Sequence, residues 1–386
     1  MAQDIPFVPR FYIDEIQYMK ALGLLKFEEG GNVGLGNTEG LYGLEDFDYR
    51  DASKLFNFNP TDYFHMNTQG GDWLSGTDKF SISMPTIFKN EGDFEQRKYF
   101  AVLGHNFKDA DMSFQVSSHF PNRDEDDDEV LDLTLISDQT TEIINSLAWA
   151  PDYPQSYAYN GFSIDELTTK PSDNIEFRMS YNQVNIMRKF GIGAISFGSI
   201  FDLSISPDLN LRMSYEYGVD EKESRSGSTL SNVRWWQKPL WVDQGAWELD
   251  EDGESKYFTE ERDLERLKHR RSGRRVYDLT FTFMTGDELL ATNPNLSTTS
   301  FVSGDLSDNG SDVFDNHITL FSDNSFYSQV VHKTLGFSIP FIFQPNKDSN
   351  NPQDFMLAKI DSKKGWELEQ IAPSLFRTKL RIKEVW

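Results

Sequence analysis

Leu335-Gly336-Phe337-Ser338-Ile339-Pro340-Phe341-Ile342-Phe343-Gln344 places an apolar side chain at each odd position, with Gly336, Ser338, Pro340, Ile342 and Gln344 turned the other way. Successive side chains of a strand leave opposite faces of the pleat, so this period of two predicts a half-buried β-strand. Gln344-Pro345-Asn346 closes it, and a polar loop runs on to Pro352. Phe355 to Ile360 predicts a second strand and Phe376 to Trp386 a third. In the third, Arg377, Lys379, Arg381 and Lys383 share one face, while Phe376, Leu380, Ile382 and Trp386 share the other with Thr378 and Glu384. The closing module from His332 to Trp386 therefore reads as β-structure with no catalytic pattern in it.

Working outward, the same alternation recurs. It is carried by Phe80, Ile82 and Met84; by Met112, Phe114 and Val116; by Leu131, Leu133 and Leu135; and by Ile175, Phe177, Met179 and Tyr181. Tyr99 to Leu103 is a short buried run, and Gly191 to Gly198 is an apolar strand bounded by glycine. After Pro207 the residues Leu209, Leu211, Met213, Tyr215 and Tyr217 form one face of a long strand, followed by Tyr277, Leu279, Phe281 and Phe283. One helix is predicted between Pro9 and Gly23, because Tyr12, Ile16, Met19 and Leu22 recur at three- and four-residue spacing. The expectation is an all-β protein with minor α content: an arm over 1–79, a jelly-roll-like β-sandwich over 80–205, and a second β-rich domain with long loops over 206–386.

Composition narrows the function classes. The 386 residues include 31 Phe, 15 Tyr and 8 Trp, a content that suits strands and turns. Cysteine is absent, which removes disulfides, thiolate metal sites and thiol nucleophiles. The net charge of −25 argues against direct nucleic-acid binding and for solubility or docking on a basic partner. No apolar run reaches the roughly 20 residues of a membrane span, and the first ten residues lack the pattern of a signal peptide, so synthesis in the cytoplasm is expected. No cofactor is expected: Gly34-Leu35-Gly36 lacks the third glycine and preceding strand of a phosphate-cradling loop, so the glycine-rich 30–43 stretch reads as a linker.

Several stretches bear on binding. Asp124 to Glu129 is a run of carboxylates, but adjacent residues cannot converge on one ion, and a solvated loop is the plainer reading. Two glycine-centred acidic stretches, at Asp250-Asp252-Gly253 and Asp305-Asn309-Gly310, fail calcium-loop spacing at the twelfth position, where Thr259 and Asn316 stand. Trp235, Trp236, Trp241 and Trp247 are clustered; such aromatics either stack on a sugar ring or complete a core or subunit interface, and the second use is the commoner. The basic run from Lys268 to Arg275 suits a charge-complementary neighbour better than nucleic acid. The four cations Arg377, Lys379, Arg381 and Lys383 repel one another unless covered, and a second copy of so acidic a chain is an obvious cover, which motivates self-assembly through an Arg/Lys stripe.

Three segments taken together resemble tail-associated structural proteins of tailed bacteriophages, especially marine ones: Leu103-Gly104-His105-Asn106-Phe107-Lys108-Asp109-Ala110, Ile192 to Gly198, and Arg274-Arg275-Val276-Tyr277-Asp278-Leu279-Thr280-Phe281. Ile339 to Pro345 and Leu380 to Glu384 fit the same pattern, so the resemblance spans roughly residues 99 to 386. It implies a galactose-binding-like jelly roll around the Gly-His-Asn strand, a second β-domain closing the chain, and a virion component at the tail tip, baseplate or fibre-attachment region. The partners it implies are other virion proteins and copies of the chain itself, and it implies no catalytic residue. His105 and Asn106 either bind sugar at a loop tip or serve as turn residues. Two rival functions remain from the residues: a module adhering to host surface glycan, motivated by the tryptophans, and a polysaccharide-degrading enzyme using a pair of its 62 carboxylates.

Overall fold

The computed structural model describes residues 7–22, 26–28, 32–34, 53–58, 64–66, 77–83, 97–105, 112–119, 141–142, 161–166, 174–181, 190–209, 211–234, 273–291, 323–349, 354–361 and 365–385. In chain order the strands are β1 (Arg10–Asp14), β2 (Lys26–Glu28), β3 (Asn32–Gly34), β4 (Phe64–Met66), β5 (Thr77–Ser83), β6 (Lys98–His105), β7 (Met112–His119), β8 (Thr141–Glu142), β9 (Gly161–Glu166) and β10 (Asn174–Tyr181). They continue as β11 (Phe190–Ile192), β12 (Ala194–Asp202), β13 (Arg212–Glu216), β14 (Val219–Glu223), β15 (Thr229–Val233), β16 (Arg274–Thr285), β17 (Phe341–Gln344), β18 (Met356–Ile360), β19 (Leu368–Ala372) and β20 (Leu375–Glu384). The protein is all-β with few helices. Ten strands make one sheet in the order β13-β16-β20-β18-β17-β1-β12-β6-β9, with β19 also paired to β20. A second sheet runs β5-β10-β7-β8, and three two-stranded pairs, β2-β3, β4-β11 and β14-β15, are separate from both.

The large sheet passes straight through the expected boundary at 205 and 206. Strands drawn from 98–202 lie on one side of β1 and strands drawn from 212–384 on the other. The segment expected to be an arm thus supplies the strand at the junction. Phe11, Tyr12 and Ile13 explain why: all three are at most 5% exposed, with Phe11 and Ile13 pointing into one core and Tyr12 into the other. A strand buried on both faces reads as a continuous apolar run, and the helical spacing from Tyr12 onward straddled its junction with a helix. The helix itself, α1 (Glu15–Ala21), is shorter than expected and begins where the Asp14 carboxylate accepts from the Gln17 N–H at 2.8 Å.

Each face of the sheet has its own core. Phe11, Ile13, Leu279, Phe341, Phe343, Leu380 and Ile382 face the segment 323–338, which lays Phe326, Val330 and Phe337 over them. On the opposite face Tyr12, Tyr99, Ala101, Ile200, Ile342 and Leu357 pack with Phe58.

The closing module keeps three of its expected strands, as β17, β18 and β20, and β19 is an addition. The expected strand from Leu335 onward shortens to Phe341–Gln344. Before it, Tyr327–His332 forms a π-helix, and Leu335, Gly336 and Phe337 turn the chain with φ of 50°, 65° and 71°. Thr334 fixes that turn, donating through Oγ1 to the Val330 carbonyl at 2.6 Å and accepting the Phe337 N–H at 3.1 Å. Covering the core requires Phe337 to fold back inward, and this overrides the alternation. The expected strand at Leu131 to Leu135 and the closing Trp386 lie outside the described residues.

Candidate functional site

The two faces of β20 divide as its alternation predicts: Leu380 and Ile382 are at most 2% exposed, while Lys379 and Arg381 reach water. The polar side lines a groove of about 1190 Å³ with Arg212, Asp278, Asp361, Glu369, Arg377, Lys379 and Arg381. Its charge is mixed: the expected assembly stripe of Arg377, Lys379, Arg381 and Lys383 has carboxylates of its own chain beside it. Arg381 Nη2 and Lys383 Nζ each lie 2.5 Å from Glu216, and Arg377 Nη1 lies 3.4 Å from Glu369. Asp278 and Asp361 are each 3.9 Å from Arg381. The hydrogen bond from Lys383, aided by Arg381, holds the Glu216 carboxyl below its usual range. Only Lys379 among the four makes no ion pair within the described residues. The repulsion that called for a second copy is relieved inside the chain.

These pairs are largely solvent-screened, so each is worth at most about 1 kcal/mol. Arg381→Gln is expected to lower the unfolding free energy by about 0.5–1 kcal/mol, and by less in high salt. Urea denaturation at two ionic strengths checks this; a loss of several kcal/mol independent of salt would contradict it.

Two groups of charges are buried instead, and sequence reasoning missed both. Glu15, fully buried, accepts from Lys98 Nζ at 2.9 and 2.7 Å and from Lys333 Nζ at 2.7 Å, and Lys333 also reaches Ser199 Oγ at 3.2 Å. Burial pushes the Glu15 carboxyl up, but the two ammonium groups outweigh it and hold the group down at about 2. Its neighbour Asp14 bonds no ammonium group among the described residues, and burial pushes that carboxyl up to about 7 against the hydrogen bonds from Gln17, Ser196 and Ile16. The second group is Arg275, which reaches Glu384 at 3.0 Å and donates to the Phe355 carbonyl at 2.8 Å. The last residue of the expected basic run is thereby spent on the chain's own core. The sequence signal for the Glu15 group is no more than a charge beside an apolar run, as at Lys98 before Tyr99 to Leu103 and Lys333 two residues after Val331.

At the end of the large sheet, apolar side chains meet water. β13 pairs with β16 on one side, and nothing among the described residues pairs with its other side. Met213 is 50% exposed and Tyr215 52%, and the adjoining hairpin of β14 and β15 exposes Val219 and Leu230 at 53% and 69%. An isolated two-stranded hairpin is marginal in water on its own.

No family model matches the chain, and no curated protein matches it. The tryptophans Trp235, Trp236, Trp241 and Trp247, the acidic run, both glycine-centred acidic stretches and Lys268 to Arg271 lie outside the described residues, as does Asn106, while His105 ends β6. Among the described residues no cluster of three or more His, Asp or Glu is arranged to hold a metal ion. No described helix is long and apolar enough to cross a membrane.

Proposed function

We propose that this chain is a structural virion protein of a tailed phage, a subunit of the tail tip, baseplate or fibre-attachment region that works through oligomeric contacts with copies of itself and with other virion proteins. The observation that carries this reading is the β13 edge, unpaired among the described residues, with its exposed Met213 and Tyr215 and the exposed Val219 and Leu230 of the adjoining hairpin. Such an edge, unpaired among the described residues, is a template for pairing with another chain. The buried ion triad, by contrast, is enclosed in the fold beneath the 323–338 cover and offers no open position for a substrate.

Sedimentation velocity over a wide concentration range, together with electron microscopy of particles containing the protein, tests the proposal. Concentration-dependent species above the 44.5 kDa monomer and several copies at the tail end of the particle are expected. A monomer at every concentration, absent from particles, would overturn it. Sugar release from host polysaccharide, or glycan-array binding by the monomer, would move the assignment to one of the two rival functions.

A further inference from the structure

We infer that two copies of this chain join edge to edge through β13, antiparallel about a two-fold axis at Ser214, so that their large sheets become one. This inference rests on the oligomeric reading above and specifies its contact. The backbone settles which groups of β13 face outward. The Thr280 carbonyl accepts from the Asp208 N–H at 2.8 Å, so in β16 the even-numbered residues address the β13 side. The odd-numbered Arg275 agrees, since its N–H points away and reaches Glu384 at 2.9 Å. In the β13–β16 register, Arg212, Ser214 and Glu216 stand opposite Asp278, Val276 and Arg274 and bond inward. Met213 and Tyr215 therefore present their N–H and C=O groups to the side of β13 that no described strand occupies.

Antiparallel pairing of two such edges needs outward-facing residues opposite each other, which allows two-fold axes at residues 213, 214 or 215. Of the three, the axis at Ser214 is the one that sets a cation opposite a carboxylate. Arg212, which makes no ion pair among the described residues, then faces Glu216 of the second copy, a carboxylate that already takes Arg381 and Lys383 of its own chain, and Met213 faces Tyr215 of the second copy. Each contact occurs twice. Met213 and Tyr215 project to the same face as Tyr277, which packs in the core, so the paired strands extend that apolar face across the junction. β13 also lacks the lysine, proline or bulge that commonly guards an edge against this event.

The absence of native cysteine makes the register directly testable. In the proposed pairing Ser214 faces its own copy as a non-hydrogen-bonded pair, with Cα atoms about 4.5 Å apart, within disulfide reach. Under mild oxidation Ser214→Cys is expected to give a covalent dimer on non-reducing gels, while Ser228→Cys in the exposed hairpin turn is not. Tyr215→Pro, which removes an outward N–H and leaves the bonds to β16 intact, is expected to weaken self-association at least tenfold with little change in melting temperature. If oligomers persist in Tyr215→Pro and Ser214→Cys fails to cross-link, the Ser214-centred pairing is wrong while the oligomeric reading stands. If Tyr215→Pro instead lowers the melting temperature sharply in a monomer, the edge is covered by the chain's own residues and the inference is overturned. A wild-type chain that neither associates nor occurs in particles removes both readings.

Discussion

Gly198→Ala is expected to lower the unfolding free energy by about 3 kcal/mol or more, at the upper end of what overpacking costs. Gly198 lies opposite Asp14 where β12 meets β1, and a β-carbon there would stand 1.8 Å from the Ile13 carbonyl oxygen and 2.8 Å from the Glu15 N–H nitrogen. Both obstacles are backbone, so no side chain can swing away. The strand that joins the flanks of the sheet would have to lift from β12, disturbing the start of α1 and the Glu15 carboxylate together. Gly286→Ala is the matched comparison, because its β-carbon would meet only the Phe376 ring at 3.4 Å. Urea denaturation of both variants checks the argument, and similar small losses in the two would contradict it.

Removing the carboxylate from the buried triad has a comparable effect. Glu15→Ala leaves the Lys98 and Lys333 ammonium groups buried without their counter-ion, and breaking such a group by deleting one partner costs about 3–5 kcal/mol. The pH dependence separates Glu15 from Asp14. A Glu15 carboxyl held at about 2 when folded and 4.5 when unfolded contributes stability that is present above pH 4.5 and lost as pH falls toward 2. Asp14 has the opposite sign: its folded carboxyl titrates at about 7 against 3.8 unfolded, so its contribution is fully present below pH 3.8 and is lost as pH rises through 7. Together the two groups favour the fold most at about pH 4. Asp14→Asn should flatten the decline toward neutrality, and Glu15→Gln should flatten the acid limb. Denaturant titrations across pH 2.5–7.5 read both, and an acid limb unchanged in Glu15→Gln would show that the triad does not set it.

Strands whose alternation is local were legible in the sequence. Those predicted around Phe80, Met112, Ile175, Tyr277 and Leu380 are present at nearly those positions. The two faces of β20 were legible for the same reason. What defeated sequence reading was tertiary demand on short segments. Phe11-Tyr12-Ile13 is a strand because two cores claim it, and Leu335-Gly336-Phe337 is a turn because the core needs Phe337. The Glu15 triad joins residues 83 and 318 positions apart, a proximity that no local pattern encodes. The open β13 edge was visible only as an apolar face at Met213 and Tyr215, because which strand ends a sheet is a property of topology.

The place of β1 between the two flanks also sets a schedule. Tyr12 bonds Gln344, 332 positions further along the chain. At synthesis rates of about 5–20 residues per second, β1 waits roughly 17–66 s for that partner to be made. Through that interval Phe11, Tyr12 and Ile13 have no β17 to pair with, and closing so long a loop is a slow step in its own right. The strands of 98–202 can meet on the ribosome well before those of 212–384 exist. Joining the two flanks through β1 therefore has to wait until β17 is made, and until then the edge of β1 that β17 will cover is open to other newborn chains.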